Sequence, residues 1–167
     1  MSINECREIY REAFGTDKDF ENRLFSACAD YCKALCINGK TVSMLFALPC
    51  SIHKGDGIIP AYYIFAAATK KEFRGKGYMT RLINLLETDR LLFLKPADAP
   101  LFKFYEKLGF KRFEISADEN STIYAEPTDG FARLALSEKP IPTDCTALYK
   151  HKKTADIGGM YFLYLME

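Results

Sequence analysis

Apolar residues recur along the start of the chain with the spacing of amphipathic helices. In residues 3–14 an apolar side chain returns every three or four positions, and Gly15 ends the run. Asp17 or Thr16 can cap a second helix that continues to about Ala29, because both side chains offer an oxygen to the first backbone N–H groups. The pattern therefore predicts two consecutive helices.

The spacing then changes to that of strands. Residues 31–37 and 41–51 are rich in apolar side chains, and Asn38-Gly39 between them is a strong signal for a two-residue hairpin turn. Residues 53–57 hold two glycines and several charges, which predicts a turn. Residues 59–69 form the third predicted strand.

Strands and helices alternate in the next part of the chain. The pattern predicts a helix over 77–89, a buried strand over 91–94, a helix from Pro100 to Gly109 and a strand over 110–115. Residues 116–155 are repeatedly interrupted by proline and glycine, and the apolar residues 160–166 suit a final strand. This order predicts an α+β fold, similar to a three-layer α/β fold, with a parallel strand pair at the centre of its sheet.

Composition restricts the class of protein. The chain has 167 residues, which suits one domain, and its 23 basic and 22 acidic residues leave a net charge of +1. A general nucleic-acid or membrane-surface binder needs a large positive surplus, so neither partner is expected. Residues 1–11 resemble no signal peptide, and no apolar run approaches the roughly 18 residues that span a bilayer. We therefore expect a cytoplasmic protein.

The six cysteines predict no metal site. Cys28, Cys32 and Cys36 are spaced four apart, which places them on one face of a helix or strand. His53 and His151 lie far from them in sequence, and there is no CxxC pair. We expect free thiols that act as small buried apolar residues.

Residues 70–81 form a glycine-rich, basic segment between a predicted strand and a predicted helix. Gly75 and Gly77 allow successive N–H groups to face one concavity, and the helix adds the positive end of its dipole. This arrangement suits a pyrophosphate. It is neither a P-loop, which needs GxxxxGK[ST], nor a dinucleotide fingerprint, because Thr80 stands at the third glycine position. The alternative is a simple turn with solvated basic residues.

A second segment makes the functional interpretation of the glycine-rich segment more specific. Arg74-Gly75-Lys76-Gly77 opens one predicted helix, and the sequence FYEKLGF ends the next at residues 104–110. Together they resemble the GNAT superfamily of N-acetyltransferases, whose loop motif is R/Q-x-x-G-x-G/A and whose second block contains YxKLGF. The resemblance is strongest over residues 59–113, and residues 48–69 resemble a bacterial subgroup of these enzymes.

The resemblance implies a fold and an acetyl-CoA site. The GNAT-like sheet is mixed and mostly antiparallel, with flanking helices and a splayed parallel strand pair. The third strand of this region splays from its neighbour, and its backbone binds the pantetheine arm. The glycine loop holds the pyrophosphate, and Tyr105 protonates the leaving thiolate, which suits a phenol with a pKa of about 10. The alternative for Tyr105 is a core position on its helix. The implied cofactor-binding residues are Ala67, Ala68, Thr69, Arg74, Gly75, Lys76, Gly77, Tyr78, Met79 and Thr80.

The chain departs from the family pattern at three motif positions. Met79 replaces the usual glycine or alanine, and Asp98 and Leu101 replace the asparagine and alanine that often precede the tyrosine. Some family members carry a glutamate base near the start of the splayed strand, but residues 60–63 contain no carboxylate. The base is unassigned: waters held by Tyr62 or Tyr63, Asp144 and Glu167 are all open alternatives.

The sequence thus predicts one acetyltransferase domain over residues 1–167, a monomer or homodimer, in which residues 116–167 complete the sheet and the acceptor side. An amine of a small molecule, a peptide N-terminus or a lysine would attack acetyl-CoA directly, without a metal. A non-catalytic CoA-binding module and an unrelated α+β domain are the alternatives. Candidate residues for the acceptor pocket are Phe25, Tyr31, Tyr124, Tyr161 and Tyr164.

Overall fold

The computed structural model describes residues 2–15, 17–86, 88–115, 124–129 and 145–150. The helices are α1 (Ile3–Phe14), α2 (Lys18–Ala27), α3 (Tyr78–Leu85) and α4 (Ala99–Lys107). The strands are β1 (Cys32–Ile37), β2 (Lys40–Lys54), β3 (Gly57–Thr69), β4 (Leu91–Leu94), β5 (Lys111–Ile115), β6 (Tyr124–Pro127) and β7 (Cys145–Lys150). The strand predicted over residues 160–166 lies outside the described residues.

Within the described residues, the strands form one mixed sheet of seven. Its order is β1-β2-β3-β4-β7-β5, and β6 pairs with β2. β3 and β4 are parallel, whereas β1 with β2, β2 with β6, and β7 with both β4 and β5 are antiparallel. The predicted α+β class, with a mostly antiparallel sheet, flanking helices and one parallel pair, is confirmed.

The first helix boundaries follow from local chemistry. Gly15 ends α1 with φ 88° and ψ −166°, a backbone conformation that glycine adopts without steric cost. The Asp17 carboxylate accepts a hydrogen bond of 3.0 Å from the N–H of Phe20 and so caps α2, as predicted. α2 ends at Ala27, earlier than expected, because residues 29–31 form a separate short 3-10 helix.

The first hairpin also matches the prediction. Asn38 and Gly39 both have positive φ, 49° and 78°, which is the backbone of a type I′ turn. The next turn is shorter than predicted, since β2 continues to Lys54 and β3 begins at Gly57. Pairing within the sheet therefore extends both strands into a segment whose composition alone favours a loop.

The chain divides into two compact units. Of the described residues, the first comprises 2–15, 17–48 and 64–86. Phe25 is 2% exposed in its core, with its ring 5.1 Å from that of Phe46 and 5.7 Å from that of Tyr10. Phe25, considered above for the acceptor pocket, is thus a core residue, and burying one such ring contributes about 1.5–3 kcal/mol.

Of the described residues, the second unit comprises 49–63, 88–115, 124–129 and 145–150. Phe93 of β4 is fully buried, 5.0 Å from the ring of Tyr63 and 6.2 Å from that of Phe113. All four residues of β4 are buried, which explains its continuous apolar sequence.

The cysteines are free thiols, but they do not share one face. Cys6, Cys28, Cys32 and Cys50 are buried, Cys145 is half-buried and Cys36 is exposed. Cys28 follows α2, and a register shift between Leu35 and Cys36 interrupts the alternation of β1. The expected single face is therefore wrong, because Cys28 lies outside β1 and the register shift separates Cys36 from Cys32 within that strand.

Candidate functional site

The parallel strands β3 and β4, expected to form the splayed pair, are hydrogen-bonded over only a short stretch. The ladder joins Ala61–Tyr63 of β3 to Leu91–Phe93 of β4, while β3 continues to Thr69. Ala66, in this continuation, has φ 49°, a left-handed conformation that costs a non-glycine residue about 1–2 kcal/mol. The backbone is thus kinked directly before Ala67, Ala68 and Thr69, the residues predicted to bind the pantetheine arm.

The end of β3 is held by neighbouring backbone and hydroxyl groups. The N–H of Lys70 donates to the carbonyl oxygen of Val42 at 3.0 Å. The hydroxyls of Ser43 and Thr69 lie 2.8 Å apart, and Arg74 Nε donates to the Thr69 carbonyl oxygen at 2.9 Å. These contacts define where the strand ends and the glycine-rich segment begins.

The segment turns through two left-handed glycines. Gly75 has φ 74° and Gly77 has φ 75°, and α3 begins immediately afterwards at Tyr78. Gly77 has no side chain to cap the helix, so the first N–H groups of α3 have no side-chain cap. A Cβ atom at either glycine would meet nothing within 4 Å. Space for an anion and exposed donors therefore coincide at the start of α3.

The basic side chains of this segment are not all free. Lys76 Nζ donates to the Glu72 carbonyl oxygen at 3.2 Å and lies 5.3 Å from the centre of the Phe73 ring. Lys70 Nζ lies 3.9 Å from the Glu72 carboxylate, and Arg74 Nη2 lies 3.7 Å from that of Glu12. Glu12 belongs to α1, so the charge pattern of residues 70–81 alone does not reveal this contact.

The structure brings the predicted cofactor-binding residues together within the first unit. Ala68 is buried, Ala67 and Thr69 are half-buried, and Arg74, Gly75, Lys76 and Gly77 are exposed. Tyr78, Met79 and Thr80 are half-buried in the first turn of α3. The helix is shorter than predicted, ending at Leu85.

Tyr105 lies in the second unit, on α4. It is 6% exposed, with its ring 5.0 Å from that of Phe104 and 5.6 Å from that of Phe110. Burial raises the pKa of Tyr105 to about 12, so the phenol keeps its proton throughout the neutral range.

The altered positions before Tyr105 have a structural explanation. The Asp98 carboxylate accepts a hydrogen bond of 2.9 Å from the N–H of Leu101 and caps α4, and proline follows in the first turn. Leu101 itself is 37% exposed. The buried residue of α4 is Tyr105.

The other acceptor-side candidates are only partly described. Tyr31 and Tyr62 are half-buried, and the guanidinium of Arg90 lies 5.0 Å from the centre of the Tyr62 ring. Tyr63 is buried, which raises the pKa of its phenol. The backbone of Tyr124 pairs with His53 in β6 and β2. Tyr161, Tyr164, Asp144 and Glu167 lie outside the described residues.

The described residues hold neither a candidate metal site nor a candidate membrane-spanning helix. No group of three or more histidine, cysteine, aspartate or glutamate side chains there could hold a metal ion. Among the same residues, no helix has both the length and the apolar character needed to cross a bilayer.

Comparison with known sequences identifies the family. The model of the acetyltransferase (GNAT) domain matches residues 2–113, more than half of the 167-residue chain. The chain belongs to the GNAT acetyltransferase family, and the predicted family is confirmed. No curated protein matches the chain in sequence.

Solved structures show the same fold at low identity. A GCN5-related N-acetyltransferase from Anabaena variabilis is 22% identical, with a TM-score of 0.59 over 67% of this chain and 30% of its own. HPA2 histone acetyltransferase and related acetyltransferase from Corynebacterium glutamicum is 15% identical, with a TM-score of 0.57 over 94% of this chain and 96% of its own. Arabidopsis thaliana Naa50, solved with the bisubstrate analogue CoA-Ac-MVNAL, is 16% identical, with a TM-score of 0.52 over 90% and 92%. The chain spans only about 30% of the Anabaena protein's length.

Proposed function

We propose that this chain is an N-acetyltransferase that binds acetyl-CoA along residues 67–80 and transfers the acetyl group to a primary amine. The observation that carries the proposal is the turn at Gly75 and Gly77, whose left-handed backbone leads directly into α3. Membership of the GNAT family supports acetyl transfer as the reaction.

The glycine turn suits a pyrophosphate for physical reasons. The start of a helix carries about half a positive charge and donors without intrahelical partners, and both favour an anion. Arg74 and Lys76 add full positive charges beside it. The unobstructed space at both glycines supports the close approach that a diphosphate requires.

The proposed reaction is a single displacement. The neutral amine attacks the thioester carbonyl, so that a C–N bond forms and the C–S bond breaks. Backbone N–H groups near Ala68 stabilise the oxyanion, Tyr105 gives its proton to the leaving sulfur, and the nitrogen loses a proton to water or to an unassigned base. The raised pKa of Tyr105 supports a phenol that arrives protonated.

The acceptor is proposed only as a class. A small-molecule amine, a peptide N-terminus and a lysine all present the required neutral nitrogen, and the Naa50 analogue joins CoA to a peptide. We propose that residues 1–167 act as one cytoplasmic acetyltransferase domain, a monomer or homodimer, without nucleic acid, membrane or metal.

Binding and turnover should be measured separately. Isothermal titration with acetyl-CoA tests the site, and mass spectrometry of products from small amines, peptides with free N-termini and N-terminally blocked lysine peptides tests transfer. Mass detection is preferable to a thiol reagent because Cys36 is exposed. Binding without transfer to any acceptor class would favour a non-catalytic CoA-binding module, and absence of binding would overturn the proposal.

A further inference from the structure

Glu12 connects α1 to the segment that precedes the glycine turn. Its carboxylate accepts a hydrogen bond from the backbone N–H of Lys71, and the same oxygen lies 3.7 Å from Nη2 of Arg74. The Glu12 side chain is 33% exposed. A residue distant in sequence therefore contacts both the start of this segment and the arginine of the loop motif.

The contact with Lys71 completes a local cap. Residues 71–73 form a short 3-10 helix, and Lys70 before it provides no side-chain hydrogen bond to its first N–H groups. An acceptor on the N-cap side chain normally fills this role, but a lysine has only donors. Glu12 supplies the missing acceptor from another helix.

The contact with Arg74 determines where that guanidinium lies. Its Nε donates to the Thr69 carbonyl oxygen, while Nη2 faces Glu12. Because the guanidinium is planar, these two contacts restrict its orientation more than either would alone.

α1 is itself held firmly in the first unit. The hydroxyl of Thr41 in β2 donates to the Glu5 carboxylate at 2.6 Å. Arg7 and Arg11 of the same helix donate to Glu21 of α2 at 2.7–2.8 Å. Glu12 is therefore presented from a support that is attached to both the sheet and the next helix.

A carboxylate beside an anion site carries an electrostatic cost, because it repels a phosphate. We propose that Glu12 is nevertheless a positioning residue for acetyl-CoA binding: it holds residues 71–74 so that Arg74 and the glycine turn face the pyrophosphate. The inference rests on the proposed function, and it predicts that removing this acidic group weakens binding instead of strengthening it.

The test compares three variants of the full chain. Glu12→Ala removes the acceptor, Glu12→Gln keeps an oxygen acceptor without the charge, and Glu8→Ala removes an exposed carboxylate one turn earlier on α1. Titration with CoA measures affinity, amide hydrogen exchange of residues 70–80 measures local opening, and urea unfolding measures overall stability.

We expect Glu12→Ala to raise the Kd for CoA about tenfold, the scale of one lost hydrogen bond to a charged group. Amide exchange in residues 70–80 should accelerate in Glu12→Ala, stay close to wild type in Glu8→Ala, and be intermediate or normal in Glu12→Gln. A purely structural role would instead lower stability and leave the Kd of the folded protein unchanged.

The results distinguish a failure of this inference from a failure of the proposed function. Unchanged or tighter CoA binding by Glu12→Ala overturns the inference and leaves the proposed function intact. If wild type itself does not bind CoA, the proposed function fails, and the inference, which rests on it, is overturned as well whatever the exchange rates show.

Discussion

The Nε atom of Arg74 donates a hydrogen bond of 2.9 Å to the carbonyl oxygen of Thr69, the last residue of β3. This bond links the end of the strand to the residue directly before the first glycine of the turn. It occupies one edge of the guanidinium and leaves the Nη groups for other partners, of which Glu12 is one. The arginine of the loop motif is thus part of the turn's structure as well as a source of charge.

Replacing Arg74 should separate these two contributions. Arg74→Lys keeps the positive charge but loses the planar donor set, whereas Arg74→Ala loses both. We expect the Kd for acetyl-CoA to rise about threefold to tenfold in the lysine variant and further in the alanine variant. Isothermal titration provides the measurement, and equal affinities for Arg74→Lys and wild type would show that charge alone matters.

The backbone of Gly77 offers a matched pair of variants. Gly77 and Gly39 have nearly the same φ, 75° and 78°, and an added Cβ meets nothing within 4 Å at either position. Gly77→Ala and Gly39→Ala should therefore each cost about 1 kcal/mol of stability through conformational strain. Only Gly77→Ala should weaken acetyl-CoA binding, because it shifts the donors of the turn. A similar loss of affinity in both variants would count against the loop assignment.

Tyr105→Phe removes the proposed proton donor while keeping the ring that packs against Phe110. General acid catalysis contributes about 10²–10⁴-fold, so turnover should fall within that range while the Kd for acetyl-CoA stays the same. Because the pKa of Tyr105 is raised to about 12, wild-type turnover should show no loss from tyrosine ionisation below about pH 10. Tyr149→Phe, another buried tyrosine of the second unit, is the control, and equal rates for all three proteins would place the acid elsewhere.

The contact between α1 and α2 should depend on pH. Hydrogen bonds from Arg11, and then from Arg7, lower the pKa of Glu21 against the opposing effect of burial. A carboxyl whose pKa is lowered on folding stabilises the protein above its unfolded pKa of about 4.3, and this contribution disappears as pH falls through the folded value.

Glu21→Gln should accordingly cost about 1.5–3 kcal/mol at pH 7, the scale of hydrogen bonds to a charged group, and progressively less as the solution becomes more acidic than about pH 4. Urea unfolding of wild type and variant at several pH values measures the difference. Glu8→Gln on the exposed side of α1 is the control. A difference that stays constant down to pH 2 would mean that the charge of Glu21 is not its source.

Much of the fold could be predicted because the relevant interactions are local. Gly15 ends α1 and Asp17 caps α2 through bonds within one turn of helix. Asn38-Gly39 adopts the hairpin backbone that these two residue types favour. The extents of β2 and β3 were less predictable, since pairing with neighbouring strands overrides the turn composition of residues 53–57.

Other features depend on tertiary contacts between side chains, which the local sequence pattern does not specify. Phe25 suits both a core and an aromatic cleft, and its burial and its contacts with Phe46 and Tyr10 assign it to the core. Cys36 repeats the spacing of Cys28 and Cys32, yet a register shift in β1 leaves it exposed. Asp98, a departure from the family pattern, serves as a helix cap.

The sequence by itself determined the order of elements, the glycine turn and the family resemblance, because each rests on residues adjacent in the chain. Only the tertiary structure decided that Glu12 contacts Lys71 and Arg74, since folding brings together positions 59 residues apart for the first of these contacts. Tertiary packing likewise buries the Tyr105 phenol and raises its pKa. Backbone conformation follows from local chemistry, whereas the partners and the protonation of side chains depend on what the rest of the chain places around them.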